Sequence, residues 1–246
     1  MGSTADALRA ELGDLLGAEH VLDAPPGSLY NFDASRRRAV EGRADAVVLP
    51  GSAEEVAALL RWCYAHDVPI VPRGGGTGVT GGAVATQGGV VVSLERLRAV
   101  RAVQPELWRM EVEAGVSTRD VQRLARENGL YFAPDPGAAE QSQIGGNVAT
   151  NAGGPHALKY GVTGSWVTEL EAALAPGELV SLGGRARKDV AGRPARPRRA
   201  RRRRRRRATN RPRAHTRSRR SRACQMRQND GAARADRSRA ASCADR

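Results

Sequence analysis

Six of the twelve residues in Val71-Pro72-Arg73-Gly74-Gly75-Gly76-Thr77-Gly78-Val79-Thr80-Gly81-Gly82 are glycine. A backbone without Cβ atoms turns sharply and can aim successive N–H groups at one point, which is how proteins hold a diphosphate. The loop follows Val68-Pro69-Ile70-Val71, a short apolar run that reads as a strand. Gly76, Gly78 and Gly81 match the spacing of a Rossmann dinucleotide loop, but that loop must open a helix whose N-terminus faces the phosphates. Here the chain continues through Gly88-Gly89 into Val90-Val91-Val92-Ser93-Leu94, which is strand-like, and the Rossmann reading fails. A P-loop fails too, because no Gly-Lys-Ser/Thr follows the glycines. A nucleotide cradle of another kind and a glycine-rich surface loop remain.

Two later stretches weigh against the surface loop. In Tyr131-Phe132-Ala133-Pro134-Asp135-Pro136-Gly137, two prolines around an acid fix an extended turn. In Ile144-Gly145-Gly146-Asn147-Val148-Ala149-Thr150-Asn151-Ala152-Gly153-Gly154-Pro155-His156, two Gly-Gly pairs frame Asn147, Thr150 and Asn151. Close backbone approach combined with amide and hydroxyl groups suits a polar heterocycle or a ribose. Leu158-Lys159-Tyr160-Gly161 follows directly.

In this order, the three stretches resemble the flavoproteins whose FAD-binding domain is of the vanillyl-alcohol-oxidase or PCMH type. The nearest branch is that of the glycolate oxidase FAD subunit and D-lactate dehydrogenase. The resemblance implies an α+β fold of two α/β subdomains with mixed sheets. It implies that Arg73, Gly74, Gly75, Gly76, Thr77, Gly78, Thr80, Gly81 and Gly82 hold the FAD diphosphate. Pro134, Asp135 and Pro136 would lie along the flavin side. Gly145, Gly146, Asn147, Thr150, Asn151, Gly153, Gly154, Tyr160 and Gly161 would line the rest of the cofactor. FAD would be non-covalent, with no tether at His156, and Lys159 is either a charge near the flavin or substrate anion or a solvated lysine. The reaction implied is transfer of a hydride from the α-carbon of a small 2-hydroxy acid, glycolate or D-lactate, to the flavin. Other oxidase subunits are implied as possible partners. The family's substrate residues, including metal-ligating histidines in some members, lie in a C-terminal domain that this chain lacks. No catalytic residue and no metal ligand carries over, so weak or no FAD retention and no turnover are expected.

Several elements must position these stretches. Ser3 or Thr4 can cap a first helix carrying Leu8, Leu12, Leu15 and Leu16 on one face, with Gly17 as its stop. Tyr30-Asn31-Phe32-Asp33 reads as a structural lead-in. Ala46 to Leu49 reads as a strand. Ser52-Ala53-Glu54-Glu55 fits a capping box opening a helix with Val56, Leu59, Leu60 and Cys63 facing inward and His66 at its end. Trp108, Met110, Val112 and Ala114 alternate with charged residues as on a half-exposed strand. A helix capped by Ser117 buries Val121, Leu124 and Ala125 and stops at Gly129. Trp166 to Leu174 and Glu178 to Leu182 read as a hairpin. Clustered strands with interspersed helices predict a mixed sheet.

The net charge of +14 is unevenly distributed. Of 40 basic and 26 acidic residues, 22 arginines and 3 acids lie between Arg193 and Arg246, so residues 1–192 carry 18 basic and 23 acidic residues, a net −5. The segment 193–246 contains no Leu, Ile, Val, Phe, Tyr or Trp, which predicts a disordered Arg-rich tail. It would bind nucleic acid without specificity by counterion release. That leaves a non-enzymatic basic-tail protein as the rival reading. The tail has no lysine and begins inside a family motif, where Tyr-Asp-Leu is expected. Reading TAC-GAC-CTG from its third base gives Arg-Pro, and Arg193-Pro194 stands there, so a shifted reading frame accounts for both features. The division expected is 1–42 helix and lead-in, 43–192 incomplete FAD-binding domain, 193–246 tail. Cys63, Cys224 and Cys243 lack metal-site spacing. With no signal segment or membrane-spanning run, a cytoplasmic protein is expected, with peripheral membrane contact still open.

Overall fold

In the main sheet, successive valines face opposite ways and each side is buried. The computed structural model describes residues 2–184 and 198–199. The sheet contains β1 (Val21–Leu22), β2 (Ala46–Val48), β3 (Ile70–Arg73) and β4 (Val90–Ser93), in the order β1-β2-β4-β3. β2, β4 and β3 run parallel, and β1 is antiparallel on β2, so the sheet is mixed as the sequence predicts. Ala46, Val48, Val90 and Val92 face α1 (Gly2–Leu16) and α2 (Ala53–Ala65), where Leu12, Leu16, Leu59 and Cys63 complete one core. Val47 and Val91 face a second core with Ala24, Ala44 and Ala85. That two-sided burial is why β4 reads as a continuous apolar run.

The local helix signals hold in part. Ser52 Oγ accepts the Glu55 N–H at 3.1 Å, and Glu55 returns a carboxylate oxygen to the Gly51 N–H at 2.7 Å. α1 starts at Gly2, ahead of both expected caps, and Leu15 is exposed while Leu12 and Leu16 are buried. The apolar stripe is therefore narrower than four leucines. Burial pushes the Cys63 thiol up to about 11, as fits a packing residue.

Two hairpins follow. β5 (Val100–Gln104) pairs with β6 (Arg109–Val112), and Trp108 precedes β6 in a left-handed turn with 74% of its surface exposed. The alternation therefore places Trp108 in a strand that begins one residue later. α3 (Thr118–Glu127) has Ser117 as its cap and buries Val121 and Ala125, with Leu124 half-buried. α4 (Ile144–Ala149) and α5 (Ala157–Tyr160) are short. β7 (Glu169–Leu174) and β8 (Glu178–Gly183) form the predicted second hairpin, although Trp166 belongs to a 3-10 turn before it. This hairpin docks on α2, where Arg61 donates to the Gly177 carbonyl at 2.9 Å. Arg198–Arg199 form a two-residue strand, β9, against β8. The rest of the predicted tail lies outside the described residues.

Leu59 has no exposed surface. Leu59→Ala is expected to cost about 2–5 kcal/mol in urea unfolding, as buried leucine truncations do. The half-buried Leu60 should cost less on the same substitution.

Candidate cofactor site

β3 delivers the glycine loop to the edge of the sheet, and the loop then packs backbone to backbone against the third stretch. A methyl group on Gly75 would run into the Gln141 carbonyl. One on Gly74 would come within 3.6 Å of the Gly146 Cα. The third stretch is held there by hydrogen bonds from the segment joining β6 to α3. Thr118 N–H donates to the Ser142 carbonyl at 2.9 Å, Ile144 N–H to Val116 at 2.9 Å and Gly145 N–H to Ala114 at 2.8 Å. The last two are first-turn donors of α4, which have no partner inside the helix.

The second stretch meets the other end of the third. A methyl on Gly154 would strike the Asp135 carbonyl, and His156 Nδ1 lies 3.5 Å from Asp135 Oδ2. Pro134 is buried, its carbonyl accepting from Gln122 at 2.8 Å. Tyr160 closes α5 and stands edge-on to Tyr131, with the Lys159 ammonium 4.9 Å from its ring centre. Gly153 packs on Ala157, and Gly161 ends α5. All three stretches singled out in the sequence thus lie along one connected surface.

Several polar side chains expected to face a ligand are engaged within the protein. Asn147 is buried and donates to Thr118 Oγ1 at 2.6 Å. Thr150 Oγ1 donates back to the Gly146 carbonyl at 2.9 Å, and Asn151 Oδ1 accepts the Gly164 N–H at 2.8 Å. Arg73 is 8% exposed and donates to the carbonyls of Leu29 at 2.9 Å and Phe32 at 2.8 Å. Desolvation lowers its pKa, opposed by Asp33, Tyr30 and Glu95. In the loop, Thr77 is half-buried, while Gly78, Thr80 and Gly82 are exposed.

The sequence reading missed three acceptors. Asp33 Oδ2, Ser35 Oγ and Gln143 Oε1 are buried without a hydrogen-bond partner. They lie 3.6, 3.7 and 3.6 Å from the points where a Cβ would stand on Gly78, Gly81 and Gly74. Orphaned polar atoms are rare in folded proteins; of the four among the described residues, these three border the glycine loop, and the fourth, Arg109 Nε, belongs to β6. Gln143 also lines a cavity of about 400 Å³ with Arg98, Ser117, Asp120, Arg123 and Gln141. In the sequence Asp33 reads only as part of a structural lead-in. Nothing local marks Gln143.

Residues 44–183 match the family described as the FAD binding domain, more than half of the chain. The chain belongs to that family. FAD is the cofactor of this domain, and the connected glycine surface and the unpartnered acceptors fit it. The chain is 38% identical over 186 residues to the glycolate oxidase subunit GlcD of Bacillus subtilis, covering 75% of this chain and 39% of that protein. It is 39% identical over 170 residues to a D-lactate dehydrogenase of Archaeoglobus fulgidus, covering 68% and 38%. It therefore spans less than half the length of either relative. Among solved structures, an alkyldihydroxyacetonephosphate synthase superposes with a TM-score of 0.62 at 24% identity, covering 72% of this chain and 34% of that one. At that identity the likeness shows the fold alone, which is that of the PCMH-type FAD-binding domain.

Gly75→Ala should destabilise this FAD-binding domain, because the Gln141 carbonyl must move. Gly82→Ala meets nothing within 4 Å and should stay within about 0.5 kcal/mol of the parent. Paired thermal unfolding checks both. Tyr30, which donates to Glu95 at 2.7 Å, is pushed up to about 12 by burial and then by that carboxylate. Its neutral form is favoured in the folded state, so this contribution to stability is complete below pH 10 and is lost as pH rises toward 12. Ultraviolet titration of wild type against Tyr30→Phe should show the late phenolate step only in the former.

Proposed function

We propose that residues 1–192 are the FAD-binding portion of an enzyme that oxidises a small 2-hydroxy acid, glycolate or D-lactate. The observation carrying this reading is the meeting of Gly74–Gly75 with Gln141–Gly146, and of Asp135 with Gly154, within a domain whose relatives are named for those substrates. Bound FAD would supply the hydride acceptor.

The chain's own residues bind and orient. Backbone N–H groups of Gly74 to Gly82, with Thr77 and Thr80, would surround the diphosphate, since a loop without side chains lets donors converge on an anion. Asp33 and Gln143 each present a buried oxygen in need of a donor, and the buried Ser35 hydroxyl, able to donate or accept, has no partner. The hydroxyls of the cofactor's ribose and ribityl chain supply such donors. Pro134 to Pro136 and Gly145 to Gly154, with Tyr160 and Gly161, would form the wall beside the flavin. Asn147 and Asn151 serve that wall indirectly, through Thr118 and Gly164. We assign the N-terminal helix and lead-in to residues 1–42 and the cofactor domain to 43–192. Among the described residues, no helix is long and apolar enough to cross a membrane.

The 246-residue chain is expected to take up FAD weakly and to turn over neither acid, because its relatives extend well beyond the matched region. The test is to mix purified chain with FAD, pass it through gel filtration, and add glycolate or D-lactate anaerobically. Stoichiometric flavin that is bleached by either acid would overturn the expected inactivity. Failure of both acids to reduce a chain extended to the relatives' length would overturn the substrate class.

A further inference from the structure

We propose that the lead-in, Leu29 to Ser35, is the template that sets the shape of the glycine loop, and that Arg73 is the pin joining them. Arg73 is then a positioning residue and not a ligand of the diphosphate. The inference rests on the reading that this loop holds FAD, but its first test does not. The lead-in lies outside the region matched to the family, residues 44–183.

The geometry is consistent at each contact. Arg73 closes β3, immediately before the glycines, and its guanidinium turns back to donate to Leu29 and Phe32 at 2.9 and 2.8 Å and to Ala83 at 3.5 Å. One side chain therefore touches both ends of the loop and the lead-in. The Tyr30 ring lies 5.7 Å from the guanidinium carbon. The Ala34 N–H donates to the Gly76 carbonyl at 3.1 Å. Gly76 has φ +66, and a methyl there would collide with the guanidinium. The loop is shaped around the arginine.

The lead-in is itself fixed. Asn31 is 1% exposed, donates to the carbonyls of Ala24 and Pro25, and accepts the Ala44 N–H at 3.1 Å. Asp33 Oδ1 accepts the Ser35 N–H at 2.8 Å, which leaves Oδ2 beside Gly78. A guanidinium with three carbonyl partners has its donors directed into the protein, and a planar fork does this where a lysine's single ammonium does not.

Amide hydrogen exchange of the full 246-residue chain without FAD is the first test. In Arg73→Ala, the Ala34 and Val84 amides, which donate to the Gly76 and Gly81 carbonyls, should exchange at least tenfold faster while those of Val47 and Val91 keep their protection. Arg73→Lys should not restore the slow exchange. Ala34→Pro removes only the N–H that donates to Gly76, at the first position of a 3-10 turn where proline fits. It should speed the Val84 amide, which donates to the Gly81 carbonyl, and it decides the matter if Arg73→Ala does not fold. Unchanged loop exchange in the folded variants would overturn the proposal. So would a loss of FAD affinity in Arg73→Ala that Arg73→Lys restores, since that marks a charge contact with the diphosphate. The exchange result stands whether or not the wild-type chain retains FAD.

Discussion

Backbone packed on backbone, without an intervening side chain, is the constraint on which this site depends. Gly75 sits against the Gln141 carbonyl and Gly154 against that of Asp135. Each contact brings together segments far apart in sequence at a separation no other residue allows. If the first opened, the loop after β3 would leave the third stretch. If the second opened, the Pro-Asp-Pro turn would leave the end of that stretch. The surrounding elements supply rigidity. Parallel strands fix where the loop begins, and the β6–α3 segment binds the first turn of α4 through backbone donors it would otherwise leave unpaired.

Polar groups in this region fall into two kinds. Asn31, Asn147, Asn151 and Arg73 have their donors or acceptors met by the protein and therefore hold segments in place. Asp33, Ser35 and Gln143 keep one atom each without a partner beside the glycines. A buried acceptor left unpaired costs roughly 1–3 kcal/mol, so three at one loop are reasonably explained by a ligand that brings hydroxyl donors. Membership in the FAD-binding domain family accords with this arrangement. The same division separates the scaffold from the surface we propose for the cofactor.

Much of the scaffold was legible because its causes are local. The Ser52 cap, the Ser117 cap, the apolar run of β4 and the hairpin at Gly177 each follow from residues within a few positions of one another. The glycine loop could be identified as something other than a Rossmann turn from the strand that follows it. Trp108 broke its pattern because a left-handed residue ends the turn just before β6. α4 carries two glycines in its first turn, which argue against a helix on propensity. It forms because Ala114 and Val116 accept its leading N–H groups.

The sequence by itself determined the order of elements, the three glycine-bearing stretches and, through their resemblance, the class of cofactor. Only the tertiary structure decided which polar side chains face the loop and which serve the frame. Arg73 is adjacent to the glycines in sequence, yet its guanidinium reaches back 44 residues to Leu29. Asp33 and Gln143 are distant in sequence and arrive beside them. Residue type and spacing fix a backbone's local preference, whereas the partner a side chain finds depends on which distant carbonyls and amides the fold leaves within reach.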